Sequence, residues 1–208
     1  NIFCFFKIVY IKTVFIFPNN IFHNIYINMN FYIETDRLIL RSLELTDVDG
    51  IFKLDSNKEV HKYLGKNPIS TKEQAEENIN FIRKQYAKLG IGRFACIEKS
   101  TGDFMGWSGL KLNIGEKEAL NGHQNFIDIG YRFIPKYWNN GYGLESAKAC
   151  LEFGFKQMNY ETIYGAAEIE NIGSNKILTK IGLKFINEFN YKDVKVNWYQ
   201  LKKSEYGK

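Results

Sequence analysis

Hydrophobic periodicity along the chain switches between two and three-to-four residues, and the switches mark its elements. Arg37 to Ser42 reads R-L-I-L-R-S, an alternating strand with Leu38 and Leu40 on one face. Thr46 is then placed to cap a helix whose Val48, Ile51 and Phe52 share a side, and a short turn carries Val60, Tyr63 and Leu64. Thr71 and Gln74 have the spacing of a capping box. Behind them Ala75, Ile79, Ile82, Tyr86 and Leu89 step by four and three until Gly90 stops the helix. From Arg93 the period is two. Phe94–Glu98 and Phe104–Leu112 read as a hairpin around Ser-Thr-Gly-Asp, and a polar loop runs from Asn113 to Gln124. Ile127, Ile129, Tyr131 and Phe133 alternate with Asp128, Gly130 and Arg132 in a strand ended by Pro135. A glycine-containing loop, Trp138 to Gly143, opens a helix that runs to about Met158. Thr162–Ile169 is a strand, Asn171 starts a short helix ending at Gly182, and Lys184–Phe189 and Val194–Leu201 are the last two strands.

The order β-α-α-β-β-β-α-β-α-β-β, without repeat or internal linker, is that of a single mixed α+β domain. It predicts a central mixed, twisted sheet of about six or seven strands flanked by about four helices. Crossover helices in the second half require some parallel pairing there. Residues 29–208 carry this pattern. Residues 1–28 do not: they are almost entirely Ile, Phe, Asn, Tyr and Lys, with no acidic residue, and the first Met is Met29. Lys7, Lys12 and Pro18 interrupt the apolar run, so neither a signal peptide nor a membrane span fits. The segment reads as a non-native or disordered extension, upstream of a working start at Met29.

Composition narrows the function classes. Of 208 residues, 45% are apolar and 25% charged, a globular balance rather than a disordered one. The net charge of +5 is spread along the chain, which suits an anionic ligand but forms no basic stripe interleaved with aromatics, so a nucleic-acid partner is not expected. Cys4, Cys96 and Cys150 lack paired spacing, which gives neither a disulfide framework nor a metal site. A reducing, cytoplasmic setting is the expectation.

The stretch I-P-K-Y-W-N-N-G-Y-G-L-E-S-A, Ile134 to Ala147, is strand, glycine loop and helix start. Unpaired first-turn amides, the positive dipole end and glycines that admit close approach make such a start an anion site, typically for phosphate or pyrophosphate. A plain strand-to-helix turn is the alternative. The loop lacks the Gly-Lys-Ser/Thr of a Walker motif and the three-glycine dinucleotide fingerprint. Further on stands A-E-I-E-N-I-G-S-N-K-I-L-T-K-I-G-L-K-F, Ala167 to Phe185: strand, Asn171, Ser174 three residues later, apolar helix, Gly-Leu-Lys-Phe. With the opening E-T-D-R-L-I-L-R, the I-G-Y strand and the W-N-N-G-Y-G loop, the chain from Phe31 to about Lys203 resembles the GCN5-related N-acetyltransferases (GNAT), and more narrowly their Rim-type branch, which includes enzymes that acetylate amino termini of ribosomal proteins.

The resemblance implies a sheet splayed between its fourth and fifth strands, here Phe126–Ile134 and Thr162–Ile169, with acetyl-CoA in the gap and no metal. It implies that the backbone at Tyr131, Arg132 and Phe133 bonds the pantetheine arm. The amides of Asn139, Asn140, Gly141, Tyr142, Gly143 and Leu144 would hold the pyrophosphate. Asn171 would contact the pantetheine or thioester region, and Ser174 would be an acid near the thioester. Two departures stand out: the family's tyrosine acid falls on Leu178, and the glutamate base of some members falls on Ala166. An α-amine, of pKa about 7.7–8.0, needs little deprotonation near neutral pH, and a thiol of pKa about 8.5 leaves readily, so neither loss excludes direct transfer. Glu188 is the preferred base, with Asp128, Glu168 and Glu98 as other carboxylates; each has a solvated-surface alternative. His123 reads as an exposed loop residue and Cys150 as core, while of Trp198 and Tyr199 one should enter the core and the other line the acceptor groove. The function implied is acetyl transfer to a primary amine, a protein amino terminus such as a ribosomal protein's or a small amine. An acyl-CoA-binding sensor of the same fold is the alternative. A homodimer is compatible with the resemblance, and no membrane partner is expected.

Overall fold

The computed structural model describes residues 31–208 except position 64, and, before them, only the backbone of three short strands, β1 (Lys7–Ile8), β2 (Ile11–Val14) and β3 (Ile27–Asn30). The expected extension at 1–28 otherwise lies outside the described residues. The remaining strands are β4 (Tyr32–Glu34), β5 (Leu38–Arg41), β6 (Arg93–Glu98), β7 (Phe104–Asn113), β8 (Phe126–Phe133), β9 (Thr162–Glu168), β10 (Lys184–Tyr191) and β11 (Val194–Lys202). The helices are α1 (Val48–Asp55), α2 (Lys72–Leu89), α3 (Tyr142–Glu152) and α4 (Ile172–Lys180). Nine strands join one sheet in the order β1-β4-β5-β6-β7-β8-β9-β11-β10, and β2 pairs with β3 apart from it. The architecture is the expected mixed sheet with four helices. Its strand count is higher because β4 hairpins onto β5 through Ile33↔Leu40, and β1 adds to β4. Among the described strands all pairings are antiparallel except β8 with β9.

Side-chain alternation distributes the helices over the two faces. Ser108 Oγ meets Cys150 Sγ at 3.6 Å, which puts α3 on the face of Ser108 and Tyr131. Arg132 meets Asp55 at 2.5 Å, which puts the end of α1 on the other. Phe31, Phe94 and Phe153 pack in the core at ring-centroid separations of 5.1–6.0 Å. Burial holds the Cys150 thiol up at about 12, in keeping with a core residue.

Local rules account for most boundaries. Thr71 and Gln74 form the capping box of α2, and Gly90 closes it in the left-handed conformation at φ 69°. Thr46 does not cap α1. Residues 45–47 form a 3₁₀ turn entered at Glu44, whose N–H donates to Asp47 Oδ2 at 2.9 Å; Arg41 holds the same carboxylate through both terminal nitrogens at 2.7 Å. The helix expected to run to Met158 changes pitch at Phe153 and ends as a π-turn, Phe153–Gln157. There a Cβ on Gly154 would lie 2.6 Å from Leu110 and 2.8 Å from Ile163, so only glycine lets the turn approach the sheet.

Candidate active site

Strands β8 and β9 are registered at one position, Asp128↔Tyr164. Past that pair, Ile129–Phe133 of β8 and Gly165–Glu168 of β9 have no partner in each other, although β8 stays paired with β7 through Gly106↔Phe133 and β9 with β11 through Val196↔Glu168. The sheet is therefore forked at its centre, and Tyr131, Arg132 and Phe133 lie along one edge of the fork. An opening between parallel strands leaves backbone donors and acceptors free for an extended ligand.

The loop beyond β8 ends at the start of α3, beside the fork. Asn139 (φ 61°) and Gly141 (φ 82°) are both left-handed, and Gly141 is the N-cap. No side chain caps the helix, so the amides of Tyr142, Gly143 and Leu144 keep their donors. A Cβ on Gly143 would sit 3.1 Å from Ile177 and 4.0 Å from Phe133 and Tyr131, filling the cleft where α3, α4 and β8 converge. Trp138 Nε1 donates to Phe133 O at 2.6 Å and fixes the turn out of the strand.

Across the fork, Asn171 caps α4: its Oδ1 accepts from Ser174 N at 3.1 Å. Tyr131 reaches over from β8 and donates its hydroxyl to Ser174 O at 3.0 Å, while burial holds the phenol well above its usual range, so it stays a neutral donor. Asn175 fastens the start of α4 from behind. It donates to Glu168 O and Asn171 O at 2.8 Å and accepts from Tyr199 Oη at 2.7 Å and Asn197 Nδ2 at 2.8 Å. Leu178 is buried, with one methyl 2.7 Å from where a Gly165 Cβ would stand, so the position of the family tyrosine is core.

The opposite face of β8 is charged. Arg93 holds Asp128 at 2.8 Å, and Asn113 donates to the other carboxylate oxygen at 3.0 Å. Arg132 pairs with Asp55 at 2.5 Å, and both arginines lie over the Trp107 ring, at 5.4 and 5.0 Å. His61, from the turn after α1, is buried 3.9 Å from Asp55 with neither ring nitrogen hydrogen-bonded; burial and the Arg132 charge hold it below the usual imidazole range. His123 is not the exposed loop residue expected. It stacks on Trp198 (5.4 Å, 20°) and lies 5.0 Å from Tyr164, while Asn121 donates to Asn187 at 3.0 Å and straps the loop to β10. Trp198 and Tyr199 are both buried, so neither lines an open groove: β11 is an inner strand with the His123 loop over one face and α4 over the other.

The structure thus gathers Tyr131, Arg132, Phe133, Asn139–Leu144, Asn171 and Ser174 around one fork. It does not bring Glu188 there. That residue is exposed on the edge strand β10, opposite Asn197, with β11 and β9 between it and the fork. Glu98 is engaged by Tyr142 Oη at 2.7 Å and Thr101 Oγ1 at 3.0 Å. Glu168 lies past the last β8–β9 pair, on the face shared by Tyr164 and the exposed Ala166. Sequence reasoning missed the contacts of Arg37, Asp55 and His61 with this region; only the charged positions inside otherwise apolar elements hinted at them. Among the described residues no group of His, Cys, Asp and Glu could hold a metal, and no helix is long and apolar enough to cross a membrane.

A mixed sheet that opens between two parallel strands, beside an uncapped glycine-led helix start, defines a protein built to take an extended, phosphate-bearing ligand. The family model for the acetyltransferase (GNAT) domain matches residues 37–184, and the chain belongs to that family. It is 32% identical to an uncharacterized N-acetyltransferase of Bacillus subtilis (strain 168), YoaA, over 73% of this chain and 82% of that one. A crystal structure of a GNAT-family acetyltransferase from Bacillus anthracis superposes with a TM-score of 0.71 at 26% identity, covering 84% of this chain and 99% of that one. The spermidine N-acetyltransferase of Vibrio cholerae, solved with CoA and spermine, shares the fold at a TM-score of 0.66 and 19% identity, over 81% and 97% of the two chains. The chain is an acetyltransferase that uses acetyl-CoA as its co-substrate.

Proposed function

We propose that the protein moves the acetyl group of acetyl-CoA directly to a primary amine, at an α-amino group in the manner of the Rim-type branch, a ribosomal protein's amino terminus being one such acceptor. The observation that carries this reading is the single β8–β9 pair, Asp128↔Tyr164, with the open strand edges beyond it leading to the free amides of α3. The cleft that a side chain at Gly143 would fill supports an elongated ligand passing there. In this reading Tyr131, Arg132 and Phe133 bind the pantetheine arm through their backbone. Asn139, Asn140, Gly141, Tyr142, Gly143 and Leu144 surround the diphosphate, with Asn171 at the thioester end. The thioester supplies an activated acyl carbon and a thiol leaving group.

Ser174 is assigned the proton to the leaving sulfur. Asn171, not Ser174, caps the helix, so the Ser174 hydroxyl is left to act. For the acceptor proton, Glu168 is better placed than Glu188, since it lies at the open end of β9 on the face away from α4. Asp128 is held by Arg93 and Asn113 and serves to shape that face. An α-amine is about 2.4 pKa units less basic than a lysine side chain, so orientation can supply much of the rate. Release of free CoA, measured across a panel of α-amino peptides, lysine-bearing peptides with blocked amino termini, and polyamines, tests the proposal. Turnover with α-amino peptides is expected. Tight acetyl-CoA binding without CoA release for any amine would favour the sensor reading instead.

A further inference from the structure

The segment joining β4 to β5 reaches across the molecule to the phosphate loop. Thr35 Oγ1 donates to Glu145 Oε1 at 2.6 Å and Arg37 N to the same oxygen at 2.9 Å. Arg37 Nε donates to Glu145 Oε2 at 2.7 Å, and its Nη2 pairs with that oxygen at 2.7 Å. The remaining guanidinium nitrogen, Nη1, donates to Asn140 O at 3.0 Å. The guanidinium carbon lies 4.3 Å from the centroid of the Tyr142 ring, and Nη2 is 3.4 Å from where a Cβ on Gly141 would be. One side chain therefore touches Asn140, Tyr142 and Glu145 and flanks Gly141.

Glu145 is the puzzle that this contact resolves. A carboxylate in the first turn of a helix suits the dipole. At this helix, however, the same first turn has to receive a diphosphate, and a fixed negative charge beside it repels the ligand. Both Glu145 oxygens are engaged: Thr35 Oγ1 and the Arg37 backbone N–H meet Oε1, and the Arg37 guanidinium brings Nε and Nη2 together onto Oε2, a two-pronged contact that a planar guanidinium offers and an ammonium does not. By binding Asn140 O, Arg37 also turns that carbonyl dipole toward itself.

We infer that Arg37, with Glu145 as its anchor, is a positioning residue for the diphosphate of acetyl-CoA: it cancels the Glu145 charge and holds the Asn140–Tyr142 backbone with its amides available. This rests on the diphosphate lying at the start of α3, and the test separates the two ideas. Affinities are measured by calorimetry for acetyl-CoA and for S-acetylpantetheine, which lacks the diphosphate and nucleotide. Arg37→Ala is expected to weaken acetyl-CoA by about 10- to 100-fold and S-acetylpantetheine by less than about twofold, in the range set by losing a charge-assisted contact. Arg37→Lys should fall between. Glu145→Gln in the Arg37→Ala background should recover part of the acetyl-CoA affinity, because the uncompensated charge is gone while the hold on Asn140 O stays lost. The ratio of the two donors guards against a variant that is merely misfolded. Equal losses for both donors, or no recovery in the double variant, would overturn the inference. If wild type binds the two donors equally well, the diphosphate site itself is misplaced. If wild type prefers acetyl-CoA and Gly141→Trp abolishes that preference while Arg37→Ala does not, the site stands and the role of Arg37 falls.

Discussion

Replacing Asp55 by alanine removes one carboxylate and strands three partners. Its Oδ1 holds Arg132 at 2.5 Å and faces His61 at 3.9 Å, and its Oδ2 accepts from Asn78 at 3.2 Å. Asp55 is 5% exposed. The charge-assisted bond to Arg132 is worth about 1.5–3 kcal/mol and the Asn78 bond about 0.5–1.5. Arg132 then keeps a largely buried cation whose Nε already lacks a partner. The expected loss is about 3 kcal/mol, within the range of about 3–5 seen when one member of a buried pair is removed. In a chain of this length that lowers the thermal midpoint by about 6–12 °C. Urea titration followed by circular dichroism should show a lower midpoint at unchanged slope. Adding Arg132→Met should restore part of the loss, because it removes the uncompensated charge and leaves an apolar side chain against Trp107. A loss below about 1 kcal/mol in the single variant would refute this account, as would a double variant no more stable than the single.

The same cluster sets a pH dependence. The folded state holds His61 below its ordinary imidazole range, so the unfolded chain binds the proton more readily and stability falls as pH drops below about 6.5. The facing groups are Asp55, Arg132 and Asn78; replacing His61 by Gln should reduce the slope of stability against pH between about 6.5 and 5, and an unchanged slope would remove His61 as the cause. At the fork, Glu168→Gln should lower kcat/KM for an amine acceptor by about 10²-fold or more, with acetyl-CoA affinity retained. Glu188→Gln should change it by less than about twofold; the reverse ranking would return the base to β10.

What the chain made readable was local. The Thr71–Gln74 box, the left-handed Gly90, the alternation of β8, the glycine loop and the Asn171 cap are all set by neighbours within a few residues, and each is found where periodicity and capping rules place it. What stayed hidden was set by pairing between distant segments. Arg37 and Glu145 are 108 residues apart, and Asp55 and Arg132 are 77 apart, so no spacing rule links them. A polar loop does not reveal in sequence that His123 folds back over an aromatic floor of Tyr164 and Trp198. Alternation implied one inward residue at the Trp198–Tyr199 pair, but a strand covered on both faces buries both. Glu188 lies on the strand that the pattern predicts, but motif order does not reveal that this strand is the sheet edge, with β11 and β9 between its carboxylate and the fork.

Hydrogen exchange of the backbone amides, with and without saturating acetyl-CoA, tests the forked-sheet site most directly. Slowed exchange is expected at Tyr131–Phe133 and at Tyr142–Leu144, with Lys184–Tyr191 of β10 unchanged. Unaltered exchange at both fork segments, or protection confined to another part of the sheet, would contradict the placement of the ligand between β8 and β9.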